Sequence, residues 1–331
     1  MKLIMIASPG KLDCYLEDFT ESIAETGVET RFQSLSALNG NRFPVFWRSP
    51  ERKRHDALRK LVEREKPDVL VFNSSKPRFD FRKVREFYRG RIVVYDMEGP
   101  NFPAFARPEQ WIHQVDLVVT TSRYSCRELR EKGYSNAVYL PHGVNPRRFY
   151  PEKEVDPVFR RERIFIGRPS PHRIQCFETL LNADLPVTLY GRKWHELSDL
   201  SAGQSAALFP LAKNIYGKTL RQAVSGAELF INVQQDQFKD LHTLVNMQVF
   251  IVSACRTCLL TEYVEELEEL FEPDREISIF RTPAELCEKA RFFQKKPDCA
   301  RRMAEAAFQR TLRDHTLNHR AREFRRFLDE L

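Results

Sequence analysis

Two carboxylates and a histidine follow strand-like segments in the first half of the chain. Asp96 and Glu98 come at the end of the segment RIVVYDME, and His142 follows the run AVYLP. Carboxylic acids and imidazole groups transfer protons or orient hydroxyl groups. These three side chains are therefore candidates for acid–base chemistry on an acceptor. For His142 the alternative is a structural role, in which it stiffens the chain next to a proline-rich segment.

Residues suited to phosphate binding follow a strand-like run in the second half. The segment IFIGRPSPHR places Gly167 and Arg168 after the run, and Arg173 near the start of the next helix. Glycine lets a ligand approach the backbone, guanidinium groups hold phosphate oxygens in forked pairs, and a helix N-terminus adds partial positive charge. The pattern predicts a diphosphate clamp, with an ordinary turn bearing surface arginines as the alternative. It lacks the glycines of a GxGxxG or Walker loop.

Further candidates lie at the ends of later elements. Gly191 follows the run PVTLY, where a simple strand-ending turn is the alternative. His242 and Asn246 are four residues apart at the start of a helical pattern, so they share a face that could contact a sugar or diphosphate. Glu262 ends the run TCLLTE, where a carboxylate can accept both hydroxyls of a ribose.

The elements that must position these residues alternate along the chain. Short runs rich in Val and Ile are each followed by a helix-like segment, which is typical of parallel sheets with crossover helices. The first series is KLIMIA, VETRFQ, DVLVFN, RIVVYD, DLVVTT and AVYLP, and the second is RIFIG, PVTLY, ELFINV, TCLLT and EISIF. We therefore expect an α/β protein with two tandem Rossmann-like, doubly wound domains.

The domain limits follow from the same rhythm. It stops in a segment dense in Pro and charge, residues 146–162, which we interpret as a linker. We expect an acceptor domain at 1–150, a donor domain at 151–310, and a last helix at 311–331. Ligands of such folds bind at the carboxyl ends of the strands and in the cleft between domains.

Composition narrows the class of protein. The chain has 331 residues, of which 42% are hydrophobic and 30% charged, as in folded globular proteins. No window reaches the roughly 18 apolar residues that a membrane span needs. Seven cysteines at irregular spacings predict no disulfide framework and favour the reducing cytoplasm. The lone pair Cys255 and Cys258 is interpreted as core thiols, with a metal or redox site as the alternative.

The net charge of +7 is concentrated in residues 42–91, which carry about sixteen Lys or Arg against about seven Asp or Glu. One interpretation is a set of solvated helix faces. The other is attraction of an anionic partner, namely a phosphorylated saccharide, acidic lipid headgroups or nucleic acid.

The chain resembles the CgeB-type spore-maturation group of GT-B glycosyltransferases, from about Asp116 to the C-terminus. The matching segments are DLVVTTSRYSCRELREKGYSNAVYLPHGVNPRRFYP, IFIGRPSPHR, LYGRKW, AELFINV, LLTEYVEELEELFEPDREI and LRDHTLNHRAREF. The resemblance implies a GT-B fold whose last helix crosses back to the first domain. It also implies a nucleotide-sugar donor, UDP-sugar foremost, no metal or cofactor, and retention of anomeric configuration. Gly167, Arg168 and Arg173 match the glycine and basic pair that meet the diphosphate.

The chain departs from the related pattern in one helix. Gln248, Ile251 and Arg256 stand where arginine, a ribose-binding glutamate and glycine are usual. Isoleucine accepts no hydrogen bond, and arginine does not freely take the positive φ open to glycine.

Three functions stay open at this level. The first is glycosyl transfer to a saccharide, lipid-linked or other anionic acceptor, in the cytoplasm or at the inner face of the membrane. The second is an inactive GT-B-like binding or partner subunit, suggested by Ile251. The third is glycosylation of nucleic acid or nucleotides through the basic segment. The sequence contains no aromatic–basic stacking motif or zinc module that would support it.

Overall fold

A computed structural model describes residues 1–8, 14–38, 50–73, 79–97, 110–194, 214–236 and 243–331. The chain divides into two compact units. The first contains Met1–His142 and Leu317–Leu331, and the second contains Gly143–Thr316.

Each unit is built on one parallel sheet. The strands, in chain order, are β1 (Lys2–Ala7), β2 (Glu29–Ser34), β3 (Val69–Asn73), β4 (Arg91–Asp96), β5 (Leu117–Thr120), β6 (Ala137–Tyr139), β7 (Arg161–Ile166), β8 (Thr188–Tyr190), β9 (Ala227–Asn232), β10 (Cys258–Glu262) and β11 (Ser278–Phe280). The first sheet has the order β2-β1-β3-β4-β5-β6 and the second β11-β10-β9-β7-β8. All eleven predicted runs are strands, so the predicted α/β class with two doubly wound sheets is confirmed.

Helices connect the strands. They are α1 (Tyr15–Ala24), α2 (Leu35–Leu38), α3 (Pro50–Glu65), α4 (Phe81–Arg85), α5 (Arg123–Glu131), α6 (Pro171–Asn182), α7 (Gly217–Ser225), α8 (Met247–Ala254), α9 (Leu267–Leu270), α10 (Pro283–Lys295), α11 (Pro297–Asp314) and α12 (Leu317–Asp329). Proline at the first position of α6, α10 and α11 suits a helix start, because its missing N–H has no partner there anyway.

Helix α12 returns to the first unit and packs on α1. The ring of Phe324 lies 5.6 Å from that of Phe19, and Asn318 donates to Glu25 over 2.7 Å. Arg91 donates to the carbonyl oxygen of Leu328 near the end of the helix. The last helix is thus part of the first unit's core.

Candidate active site

The second sheet has its topological switch point between β7 and β9, because the chain runs from β7 to β8 on one side and through β9, β10 and β11 on the other. Ligands of doubly wound sheets bind in the crevice between the loops that leave the two strands of the switch point at their carboxyl ends. Here these loops are 167–170 after β7 and 233–236 after β9. Glu262 ends the neighbouring strand β10.

Two glycines let the β7 and β8 loops pack closely. Gly167 donates its N–H to the carbonyl oxygen of Tyr190 over 2.9 Å. Gly191 has φ +149°, and a Cβ added to it would lie 1.9 Å from the carbonyl oxygen of Gly167. That oxygen also accepts from Nε1 of Trp194 over 3.0 Å. Gly191, predicted as a donor-binding residue, therefore has a structural requirement of its own.

Arg173 joins the two loops at the switch point. Its Nη1 donates to the carbonyl oxygen of Arg168 over 3.0 Å, and its Nε and Nη2 donate to that of Val233 over 3.0 and 2.8 Å. Its guanidinium lies 4.9 Å from the ring centroid of Phe165. Burial lowers the pKa of Arg173 to about 10, so the group keeps its charge at neutral pH. Arg173 was predicted to contact the diphosphate. In the structure it is a buried cation whose hydrogen bonds join the two loops.

Arg168 is the exposed partner of this pair. Its guanidinium has no hydrogen bond or ion pair to any residue in the described part of the chain. The free fork and the buried charge of Arg173 beneath it make this loop able to hold an anion.

Glu262 is engaged by two groups of the same edge. Its Oε1 lies 2.7 Å from Nε2 of His172, and its Oε2 accepts from the N–H of Gln234 over 2.7 Å. The residue is 9% exposed. Glu262 was predicted to bind ribose, and the structure gives both of its oxygens partners within the protein.

His172 is a candidate site residue that the sequence interpretation missed. It is the second residue of α6, and its N–H donates to Oδ1 of Asp236 over 3.1 Å. Burial raises the pKa of Asp236, but the neighbouring Ser170 hydroxyl and the bound N–H of His172 outweigh it and lower the pKa. An imidazole beside Arg173 at a helix start was the available signal.

Asn246 caps the N-terminus of α8, and both its amide oxygen and its amide nitrogen are hydrogen-bonded inside the protein. Its Oδ1 accepts from the N–H of Gln248, and its Nδ2 donates to Oδ1 of Asn232, both over 3.0 Å. Asn232 in turn donates to Oγ1 of Thr261 over 3.0 Å. This chain of amides fixes the N-terminus of α8 on β9 and β10. Its predicted companion His242 lies outside the described residues.

The three departures, two in α8 and one just after it, each have a defined structural setting. Gln248 donates from Nε2 to the carbonyl oxygen of Ile166 over 2.6 Å, so it borders the β7 loop. Ile251 is 6% exposed and belongs to the hydrophobic cluster of the second unit. Arg256 does adopt positive φ, +60°, and its side chain pairs with Glu305 of α11.

The candidates of the first unit lie in its interior. Asp96 is fully buried, and its Oδ2 accepts from Oγ1 of Thr120 over 2.9 Å. His142 is 4% exposed, and burial, helped by the nearby Arg320, lowers its pKa to about 3, so the ring is neutral at physiological pH. Glu98 lies outside the described residues. The acid–base roles of these residues stay predictions.

The cysteine pair shows no feature of a reactive site. Cys255 and Cys258 are buried and not joined, and burial raises the pKa of each thiol to about 12. Within the described ranges no cluster of three or more His, Cys, Asp or Glu is suited to a metal ion. No helix of the described chain is long and apolar enough to cross a membrane.

Comparisons with known proteins agree with this architecture. Residues 168–326 match the family model described as glycosyl transferase-like. The spore protein CgeB of Bacillus subtilis strain 168 is 20% identical over 211 residues, which cover 61% of this chain and 65% of that relative.

Solved structures match over the whole chain. A sucrose-phosphate synthase from Thermosynechococcus elongatus superposes with a TM-score of 0.72 at 13% identity, covering 100% of this chain and 99% of that one. HepE of Anabaena, solved with UDP-glucose, gives a TM-score of 0.68 at 13% identity and covers 100% of both chains.

This chain resembles the GT-B glycosyltransferases and CgeB. At these identities the solved structures establish the shared fold. The predicted GT-B architecture and the resemblance to CgeB are thereby confirmed.

Proposed function

We propose that this chain transfers a sugar from a nucleotide-sugar donor, held at the carboxyl ends of β7, β9 and β10, to an acceptor. The observation that carries the proposal is the arginine pair at the switch point. Arg173 joins the loops after β7 and β9, and Arg168 on the β7 loop is exposed, with a guanidinium that has no partner among the described residues. This arrangement is suited to the diphosphate of a donor.

The proposed chemistry needs positive charge at this edge. When the bond between the anomeric carbon and the phosphate oxygen breaks, negative charge develops on the leaving nucleoside diphosphate. Arginine side chains and the N-terminal ends of α6 and α8 can stabilise that charge. We therefore propose a metal-independent transfer, and retention of configuration on the strength of the family resemblance.

A UDP-sugar is the donor that the comparisons favour. The Anabaena protein HepE, which shares the fold over its whole length, has been solved with UDP-glucose, with UDP and glucose, and with UDP. The proposal extends this donor class to the present chain.

For the acceptor we propose an anionic molecule, such as a saccharide phosphate or a lipid-linked saccharide, gathered by residues 42–91. Part of the charge in the described portion of this segment is used internally, since Lys83 pairs with Glu51 and Arg85 with Asp116. Other cations on α3 and α4 and after them are exposed and have no ion pair among the described residues; they are Arg59, Lys60, Arg82 and Arg89. These four are the proposed acceptor contacts.

The donor assignment is tested by calorimetric titration with UDP-, GDP- and TDP-glucose, followed by a donor hydrolysis assay. We expect UDP-glucose to bind and Arg168→Ala to weaken binding by about tenfold or more, since a charge-assisted pair contributes about 1.5–3 kcal/mol. The matched control is Arg301→Ala, an exposed arginine on α11, which should bind normally. Absence of binding by every donor to folded protein would refute the proposal.

A second candidate function is a binding or partner subunit without transfer activity. Two observations favour it: Ile251 lies in a hydrophobic cluster where a carboxylate would be needed for ribose, and both oxygens of Glu262 already have a hydrogen-bond partner within the protein. Donor binding without hydrolysis or transfer to any anionic acceptor would select this function.

A further inference from the structure

His172 and Glu262 form a tight pair at the proposed donor edge. They are 90 residues apart in sequence, their side chains are each 12% exposed, and Nε2 lies 2.7 Å from Oε1. The main chain of His172 is held as well, because its N–H donates to Asp236. Position and ring are thus fixed from two neighbouring strands of the sheet.

The pair determines which ring nitrogen carries a hydrogen. An ionised carboxylate only accepts, so Nε2 must be the donor to Glu262. Nδ1 of His172 has no hydrogen bond to any residue that the structure describes. It is also not one of the buried polar atoms of the described chain that lack a partner. In the neutral ring Nδ1 is an acceptor and repels an anion. In the protonated ring Nδ1 carries a second N–H, which can donate a hydrogen bond to an anion.

The charges around His172 make that proton matter. The groups that face it are Glu262 on β10, Asp236 after β9, and Arg173 and Cys176 on α6. The exposed Arg168 on the β7 loop adds a second guanidinium to this edge. The two carboxylates formally cancel the two guanidiniums. A proton on His172 therefore gives the edge its net positive charge, and a dianionic diphosphate is the ligand class that requires it.

We infer that His172 is protonated when a nucleotide sugar binds and donates from Nδ1 to a diphosphate oxygen, with Glu262 and Asp236 as positioning residues. Donor binding is then coupled to the uptake of a proton. This inference rests on the proposed function, since it assigns a diphosphate to this edge.

The test is calorimetric titration of the full chain with UDP-glucose from pH 5.5 to pH 8.5. Both phosphates of this probe are esterified, so the probe itself does not titrate in that range. We expect the affinity to fall as pH rises, by up to about tenfold per pH unit, since one linked proton sets that limit. Runs in buffers of different ionisation enthalpy should show uptake of up to one proton.

Variants assign the proton to its residue. His172→Gln should bind more weakly at pH 6, with no pH dependence and no proton uptake. Glu262→Gln keeps a hydrogen-bonding side chain but lacks the charge that favours imidazolium. As pH rises, the affinity of this variant for UDP-glucose should therefore begin to fall at a lower pH than that of the natural chain. His113→Gln changes an exposed histidine of the first unit and should retain the full pH profile.

The outcomes separate the two proposals. UDP-glucose binding that is equally tight at pH 6 and pH 8, without proton uptake, overturns the role of His172 and leaves the donor assignment standing. An unchanged pH profile in folded His172→Gln overturns it as well. No binding of UDP-, GDP- or TDP-glucose at any pH overturns both.

Discussion

At the residue scale, the polar side chains of the proposed donor edge divide into those bonded within the protein and those open to a ligand. The side chains of three residues are hydrogen-bonded within the protein: Arg173, Asn246 and Glu262. The guanidinium of Arg168 has no such bond among the described residues, and His172 uses one ring nitrogen. Residue type and spacing alone do not make this distinction, because an arginine that braces two loops and an arginine that binds phosphate have the same sequence signature.

Ile251 gives a prediction about burial. Replacing it by Glu places a carboxylate among apolar side chains, which should destabilise the protein by at least about 2–3 kcal/mol. Burial raises the folded-state pKa of such a carboxylate, so the loss of stability should be larger at pH 8 than at pH 5. Urea unfolding at both pH values measures it. The control Ile251→Val should cost about 0.5–1.5 kcal/mol, independent of pH.

His142 gives a prediction about acid stability. Its folded-state pKa of about 3 lies below the unfolded value of about 6.5, so its contribution is fully present above that pH. As pH falls from about 6.5 towards 3, His142 becomes protonated in the unfolded chain but not in the folded one. Stability should fall by up to about 1.4 kcal/mol per pH unit from this residue. In a folded His142→Phe variant, urea unfolding at pH 7 and pH 5 should show a smaller decrease than in the natural chain.

At the element scale, the loops at the carboxyl ends of β7 and β8 depend on contacts too close for side chains. Gly167 donates its N–H to the carbonyl oxygen of Tyr190, and its own carbonyl oxygen accepts from the indole N–H of Trp194. The loop that carries Arg168 is therefore set by its neighbours in the sheet and by a buried indole, which places the exposed guanidinium on a rigid support.

Gly191→Ala tests this arrangement. The new Cβ meets a backbone oxygen at 1.9 Å, so the loop must move, and we expect both reduced stability and weaker UDP-glucose binding. Gly27→Ala is the matched control, because Gly27 also has positive φ, +85°, but nothing within 4 Å of the added atom. Its cost should be limited to the backbone strain of about 1–2 kcal/mol. Equal losses in the two variants would contradict the role of close packing.

At the scale of the whole molecule, the chain forms two units, and its last fifteen residues belong to the first. The core of that unit includes Phe19 of α1, Tyr95 of β4 and Phe324 of α12, whose rings contact one another. A unit that is completed by residues distant in sequence should lose stability when its last helix is weakened.

Phe324→Ala should destabilise the first unit by about 3–5 kcal/mol, because the ring is fully buried. Phe292→Ala, at a ring that is 48% exposed on α10, is the control and should have little effect. Hydrogen exchange measures this by unit, with faster exchange expected in β1, β3 and β4 and unchanged exchange in β7, β9 and β10. Uniform acceleration in both units would contradict the assignment of α12.

The sequence by itself determined the strands and the fold class. A strand covered on both faces needs an unbroken apolar run, so RIVVYD or TCLLT is recognisable without knowledge of its neighbours. The residues at the strand ends were likewise recognisable as polar and as close to a ligand edge, which located Gly167, Arg168, Arg173 and Glu262 at one edge of the second sheet.

Only the tertiary structure decided which of these residues pair with one another. Arg173 and Val233 are 60 residues apart, and His172 and Glu262 are 90 apart. Their contacts follow from the order β10-β9-β7, which brings the carboxyl ends of distant strands together. Hydrogen-bond partners across a parallel sheet depend on that order and not on local spacing, and so His172 was not recognised from the sequence.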